Sequence, residues 1–275
     1  MAYLGDSYCC LLEVGRNFRT AKGLNAMDIH VNGFQMYCDI CGHPAAEPLL
    51  WVHGFGGSGA DWKYIFKEVP AGYRLIAPDM RGHGASTGTD GNYSFRLSAR
   101  DVGVLLDALK VLRIKAVGLS GGGITLLHLA TQQPERVEAM VVISAPPYFP
   151  SQVRAIQRQY STAMIGDVEM ARMRERHKGG EKQIDWIIAQ TRAMAEIHDD
   201  VNFTPPLLGT ITARTLIVFG DIDPLYPVSL AFELRTAIPR SSLWVVPNGG
   251  HGPVFGPNAP QFVETAAAFL RGDWH

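Results

Sequence analysis

Short apolar runs alternate with longer amphipathic stretches along most of the chain. By period and punctuation, strands are expected near Leu49–His53, Tyr73–Pro78, Ile114–Leu119, Val137–Ala145, Thr215–Phe219 and Leu243–Val246. Two earlier runs, Met27–Val31 and Phe34–Ile40, flank Asn32-Gly33, a two-residue hairpin signal. Between the strands lie helical patterns. Leu97–Leu112 carries Val102, Leu105, Leu106 and Leu109 on one stripe, and Ile124–Thr131, Val228–Ala237 and Gln261–Leu270 read the same way. Strands alternating with helices after an initial hairpin specify an α/β fold: a mostly parallel, doubly wound sheet with an N-terminal antiparallel hairpin at its edge.

One stretch breaks the alternation. From Pro146 to about Thr212 no strand pattern appears. Met164, Met170, Met173 and Met194 are interleaved with charges such as Arg172, Arg174, Glu175 and Arg176, and Pro146-Pro147 and Pro205-Pro206 punctuate the ends. This is expected to be a helical cap inserted between two strands. The organisation is then an N-terminal arm (1–26), an α/β core (27–145 and 213–275) and the cap (146–212).

Length and composition narrow the class. The chain has 275 residues, 47% of them apolar, enough for one large domain with an insertion. A net charge of −1 provides no basic surface for nucleic acid. No apolar run approaches the roughly 20 residues a membrane helix needs. Met1–Asp6 lacks a basic leader region, so a cytoplasmic location is expected. The cysteines are Cys9, Cys10, Cys38 and Cys41. Cys38-x-x-Cys41 could indicate zinc or redox chemistry. On a strand, however, Phe34, Met36, Cys38 and Ile40 share one face and Cys41 points to the other. All four are expected to be structural thiols, with no metal bound.

Candidate chemistry begins at Gly118-Leu119-Ser120-Gly121-Gly122, between an apolar strand and a helical run. Strand, Gly-x-Ser-x-Gly, helix is the layout of a nucleophile elbow. The serine sits at a tight turn, the flanking glycines let backbones pass closely, and the helix N-terminus behind it favours developing negative charge. A serine hydroxyl also needs a base, and the base an orienting carboxylate. His251, in Gly249-Gly250-His251-Gly252, follows the strand ending at Val246. Asp221 and Asp223 follow the strand ending at Phe219, and Asp223 lies further past the strand end. Ser120, Asp223 and His251 thus fall at the carboxyl edge of the sheet, where open parallel sheets bind ligands. Their order along the chain is the one this triad takes on such a sheet. The N–H groups of Gly121 and Phe55, the latter in His53-Gly54-Phe55-Gly56-Gly57-Ser58, are candidates for an oxyanion hole. Of the other histidines, His83 is expected to be structural, His128 to pack within its helix, and His177 and His198 to lie on the cap surface.

These residues resemble the α/β-hydrolase fold superfamily, in its capped, single-domain, carboxylesterase-like serine-hydrolase branch. The resemblance spans about Met27 to Leu270. It rests on His53-Gly54, Asp79-x-Arg81-Gly82-x-Gly84, the elbow at Ser120, Gly220-x-x-Asp223-x-x-x-Pro227 and Gly250-His251. It implies the triad Ser120, His251 and Asp223, and no cofactor. Leu119 stands where His is frequent in the family, and Gly121 where Met or Gln is frequent. The expected activity is cleavage of small-molecule carboxylic esters of short to medium acyl chain through an acyl-enzyme on Ser120. Leu119 and the cap residues Tyr148, Phe149, Met164 and Met194 are expected to wall the acyl pocket; alternatively, the cap residues form the cap's own core. A carbon–carbon bond hydrolase or cofactor-free perhydrolase with the same triad, a slowly hydrolysing small-ligand receptor, and a silent binding module remain alternatives. The oligomeric state is not legible.

Overall fold

A computed structural model describes residues 25–274. Nearly all of the expected arm, with Cys9 and Cys10, lies outside the described residues. Eight strands form one sheet: β1 (Asn25–Val31), β2 (Phe34–Cys41), β3 (Glu47–Val52), β4 (Tyr73–Pro78), β5 (Ile114–Leu119), β6 (Val137–Ile143), β7 (Arg214–Gly220) and β8 (Ser241–Val246). Their order is β1-β2-β4-β3-β5-β6-β7-β8. β1 and β2 form the antiparallel hairpin, with Val31 opposite Phe34. Asn32 and Gly33 both take positive φ, 41° and 85°, as a tight hairpin turn requires. β2 joins β4 antiparallel, and the remaining pairings are parallel.

Neighbouring side chains on the central strands feed two apolar layers. Leu50 and Val52 pack on one side with Leu105 and Leu106 of α1 (Phe95–Ala108), Leu126 of α2 (Gly121–Gln132) and Leu230 of α8 (Ser229–Ala237). Leu49 and Trp51 pack on the other with Trp62, Phe66, and Phe262 and Phe269 of α9 (Ala259–Arg271). The sheet is therefore covered on both faces, and its central strands read as continuous apolar runs. Cys38 belongs to the first layer and Cys41 to the second. Burial pushes the Cys38 thiol pKa up. Among the described residues no cluster of His, Cys, Asp or Glu is arranged for a metal ion. No helix among them is long and apolar enough to cross a membrane.

Between β6 and β7 run α3 (Ser151–Gln159), α4 (Thr162–Ile165), α5 (Asp167–Arg176), α6 (Glu181–Met194) and α7 (Pro205–Leu208). This helical segment adds no strand to the sheet. An isolated bridge, Tyr148 to Asn202, ties its two ends together. It has an apolar centre of its own in Ile165, Met170, Met173, Ile184, Ile187 and Ile188. Buried Arg154 supports it by donating to the carbonyls of Phe149, Met194, Ala195 and Ile197. Asp200 anchors its far end to the core by accepting from the Ser94 hydroxyl and from the N–H groups of Phe95 and Arg96 at the start of α1.

The turn from β5 into α2 depends on backbone contact. Ser120 adopts φ 50°, ψ −115°, a left-handed conformation that costs a non-glycine residue energy. A Cβ on Gly118 would meet the Gly122 carbonyl oxygen at 2.6 Å, and one on Gly122 would meet the Val52 carbonyl oxygen at 2.1 Å. Gly122→Ala is therefore expected to destabilise the fold by about 1–3 kcal/mol, as overpacking does. The urea unfolding midpoint checks this, and an unshifted midpoint contradicts the contact.

Candidate active site

Three loops at the carboxyl edge of the sheet bring the candidate residues together. Ser120 follows β5, Asp223 follows β7, and His251 follows β8. Parallel pairing of β7 with β8, Gly220 opposite Val246, sets the last two loops side by side. The Ser120 Oγ lies 3.0 Å from His251 Nε2, and His251 Nδ1 lies 2.9 Å from Asp223 Oδ2. With Nδ1–H donating to the carboxylate, Nε2 is left to accept the serine proton.

Asp223 is held in place by its own loop. Its Oδ1 accepts from the N–H groups of Leu225 (2.8 Å) and Tyr226 (3.2 Å), and its side chain is fully buried. The Tyr226 ring meets the imidazole edge-on at 5.3 Å. Asp221, the competing carboxylate, instead accepts from the Gly249 N–H at 3.2 Å. The structure thus brings Asp223, and not Asp221, to the histidine.

Next to Ser120, Gly121 opens α2, where a helix leaves its first N–H groups without intrahelical partners. A Cβ on Gly121 would lie 3.0 Å from the Phe55 nitrogen. The two proposed donors are therefore neighbours, on the loop after β3 and at the start of α2. Among the described residues, neither N–H has a hydrogen-bond partner.

Beneath this edge lie three buried histidines. His53 Nδ1–H donates to the Gly54 carbonyl at 2.7 Å, and its Nε2 accepts from the Met80 N–H at 2.9 Å. His83 Nδ1–H donates to the Arg81 carbonyl at 2.8 Å, and its ring meets Phe55 edge-on at 4.7 Å. His177 corrects the sequence expectation: it is 1% exposed, not a surface group. The end of α5 turns it inward between two core loops. Its Nδ1 accepts from the Gly84 N–H at 3.0 Å, and its Nε2–H donates to the Gly56 carbonyl at 3.1 Å. His128 packs inside α2 as expected, against Phe203, and His198 is exposed.

A cavity of about 290 Å³ opens onto Ser120 and His251. Leu119 and Met164 line it, together with Phe55, Tyr160, Ile165 and Met173. Three expected wall residues lie elsewhere. Phe149 and Met194 are buried in the main core, where Phe149 stacks on Tyr226 at 6.3 Å. Tyr148 is exposed and donates its hydroxyl to Glu233. One side of the cavity is polar, with Asp61, Glu169, Arg172 and Arg176. Arg176 is neutralised there, its Nε 3.2 Å from Asp61 and its Nη1 3.1 Å from Glu169. Met173, like Met164, already stood out in the sequence as an apolar position of this segment. Nothing in the sequence marked Arg176 or His177.

The buried histidines make stability depend on pH. Burial lowers the pKa of His53, His83 and His177 from 6.5 to about 3, because an imidazolium there would lose its hydration. As pH falls below 6.5 the unfolded chain protonates all three while the native protein does not, so stability drops. Asp79 acts in the opposite sense. Burial raises its pKa from 3.8 to about 6, partly offset by the N–H groups of Ala85 and Gly59, so the native state takes up this one proton first. Three histidine protons outweigh one aspartate proton. The urea midpoint is expected to fall steadily from about pH 6.5 to about pH 4; a constant or rising midpoint would contradict this balance.

Comparison with known proteins agrees with this architecture. A family model described as the alpha/beta hydrolase fold matches residues 47–169. A putative carbamate hydrolase of Caulobacter is 27% identical over 263 residues, covering 86% of this chain and 96% of the relative. A 2-hydroxy-6-oxononadienedioate/2-hydroxy-6-oxononatrienedioate hydrolase of Paraburkholderia xenovorans is 26% identical, covering 75% and 81%. The solved structure of a serine hydrolase from Cycloclasticus zankles superposes with a TM-score of 0.76 at 20% identity, covering 92% of this chain and 99% of that one. Strand order, elbow and matched segment together give the chain the α/β-hydrolase fold.

Proposed function

We propose that the chain is a serine hydrolase that cleaves carboxylic esters of short to medium acyl chain. The observation that carries this reading is the Ser120–His251–Asp223 relay, 3.0 Å and 2.9 Å long, beside the Phe55 and Gly121 N–H groups, which have no partner among the described residues. Ser120 Oγ attacks the ester carbonyl carbon while His251 Nε2 takes its proton. Asp223 holds the imidazole in the required tautomer and stabilises the imidazolium. The Phe55 and Gly121 N–H groups receive the tetrahedral oxyanion, each worth on the order of 3 kcal/mol in the transition state. His251 then protonates the leaving alkoxide, and the alcohol departs. Water, deprotonated by His251, opens the acyl-enzyme and restores Ser120.

Size and lining support the substrate class. At 290 Å³ the cavity sits at the small end of ligand sites, which start at about 300 Å³. Leu119, Met164, Ile165 and Met173 offer an apolar wall to an acyl chain. In this reading α3–α7 act as a cap that limits chain length. Carbon–carbon bond hydrolysis is the second reading, favoured by the name of the Paraburkholderia relative. The Caulobacter relative adds carbamates to the substrates worth testing.

A series of p-nitrophenyl esters from acetate to palmitate, run beside a vinylogous diketone and a carbamate, tests the proposal. Short and medium esters should turn over fastest, and Ser120→Ala should lower kcat by roughly 10⁴ or more. Near-full activity in that variant rejects Ser120 as nucleophile, and faster turnover of the diketone replaces ester cleavage with the second reading. The carboxylate assignment has its own test. Asp223→Asn should lower kcat by about 10³–10⁴. Asp221→Asn should leave kcat unchanged, because an amide oxygen can still accept from the Gly249 N–H. Equal losses in the two variants would contradict the assignment.

A further inference from the structure

The turn that carries the Phe55 N–H is glycine-rich and intrinsically soft. Gly54, Gly56 and Gly57 make up half of His53–Ser58, and glycine retains the most backbone freedom. The Gly57 N–H donates to the Gly54 carbonyl at 2.9 Å, with Gly56 at φ 80°. That single bond closes the turn but leaves the outer Gly56 carbonyl to be fixed from elsewhere.

Two histidines bridge this turn to the loop after β4. His53 does so from within the core, joining the Gly54 carbonyl to the Met80 N–H. His177 does so from the helical insertion, joining the Gly56 carbonyl to the Gly84 N–H. The adjacent Lys178 N–H donates to the Gly84 carbonyl at 2.9 Å, which seats the segment on the same loop. Arg176 Nη1 donates to the same Gly56 carbonyl at 3.2 Å. Its Nε pairs with Asp61, whose Oδ2 accepts from the Ser58 N–H at the end of the turn. Consecutive residues closing α5 thus hold both ends of the Gly56–Ser58 segment.

We infer that His177, backed by Arg176, is a positioning residue that orients the Phe55 N–H by fixing the neighbouring Gly56 carbonyl. The insertion then completes the oxyanion hole as well as walling the cavity; this rests on Phe55 serving as the donor proposed above. His177 touches no substrate. Its effect should appear where the oxyanion develops, because misplacing a reacting group by about 1 Å can cost 10²-fold in rate.

Two polar substitutions in the full chain separate its contacts. His177→Asn keeps an acceptor for the Gly84 N–H but is too short to reach Gly56. His177→Gln keeps a donor for the Gly56 carbonyl. With p-nitrophenyl butyrate, the Asn variant should lose about 10–100-fold in kcat with KM little changed. Affinity for an alkyl trifluoromethyl ketone, whose hemiketal with Ser120 bears the oxyanion, should fall in parallel. The Gln variant should recover both. Equal kcat in the two variants, or a loss confined to KM, overturns the inference. Should the Asn variant not fold, Arg176→Lys decides: a lysine has one donor nitrogen where the arginine uses two, Nε for Asp61 and Nη1 for Gly56 and Glu169. A joint fall in kcat and ketone affinity then supports the inference, and any other pattern overturns it. A fluorophosphonate probe keeps the two levels apart. If Ser120 goes unlabelled in the native protein, the serine-hydrolase reading fails. If it is labelled while Asn and Gln behave alike, only the role of His177 fails.

Discussion

Backbone packs directly on backbone where the start of α2 meets the end of β3. Gly122 has no room for a Cβ beside the Val52 carbonyl, and Gly121 lies against the Phe55 nitrogen. This contact brings two loops more than 60 residues apart in sequence to one point. It sets Gly121, the residue after Ser120, beside the backbone nitrogen of Phe55. The rest of the candidate site is arranged about that point by parallel pairing: β6 follows β5, β7 follows β6 and β8 follows β7, so each successive loop arrives at the same edge.

Fixing such an edge needs polar groups that stay buried without being charged. His53 and His177 meet this need in the same way. Each accepts one backbone N–H and donates to one carbonyl, so both ring nitrogens are satisfied in the neutral form. A lysine or arginine in their place would carry a charge there, and an apolar residue would leave backbone groups unpaired. Arg81 and Asp101 show the alternative, a buried ion pair joined by two hydrogen bonds of 3.0 Å and 2.8 Å, with Asn32 donating to the same carboxylate. These contacts fasten the β4 loop to α1 and to the hairpin, and the histidines fasten the Gly54–Gly56 turn to that loop.

Much of this was legible in the sequence because it is local. All eight strands have clear apolar runs and sharp punctuation, and their observed ends differ from the expected ones by only a few residues. The candidate triad was visible for the same reason: Ser120, Asp223 and His251 each follow a strand end. The order in which strands pair, with β4 between β2 and β3, has no such local mark. Phe149 and Met194 were apolar residues in the right segment, but whether they face the cavity or the core depends on how α3 and α6 seat against Tyr226 and the main core. His177 was hidden by its neighbours. The run Arg172–Arg176 looks like a solvated helix face, whereas Arg176 has its charge met by Asp61, more than 100 residues away, so the histidine after it turns inward.

The central claim is that Ser120 becomes covalently acylated during turnover. Intact-mass spectrometry of the native protein, acid-quenched milliseconds after mixing with excess p-nitrophenyl butyrate, tests it directly. One butyryl group per chain, mapped by peptide analysis to Ser120 and absent from Ser120→Ala, is the expected result. Turnover of the ester with no adduct at any quench time, or an adduct that persists in Ser120→Ala, would contradict it.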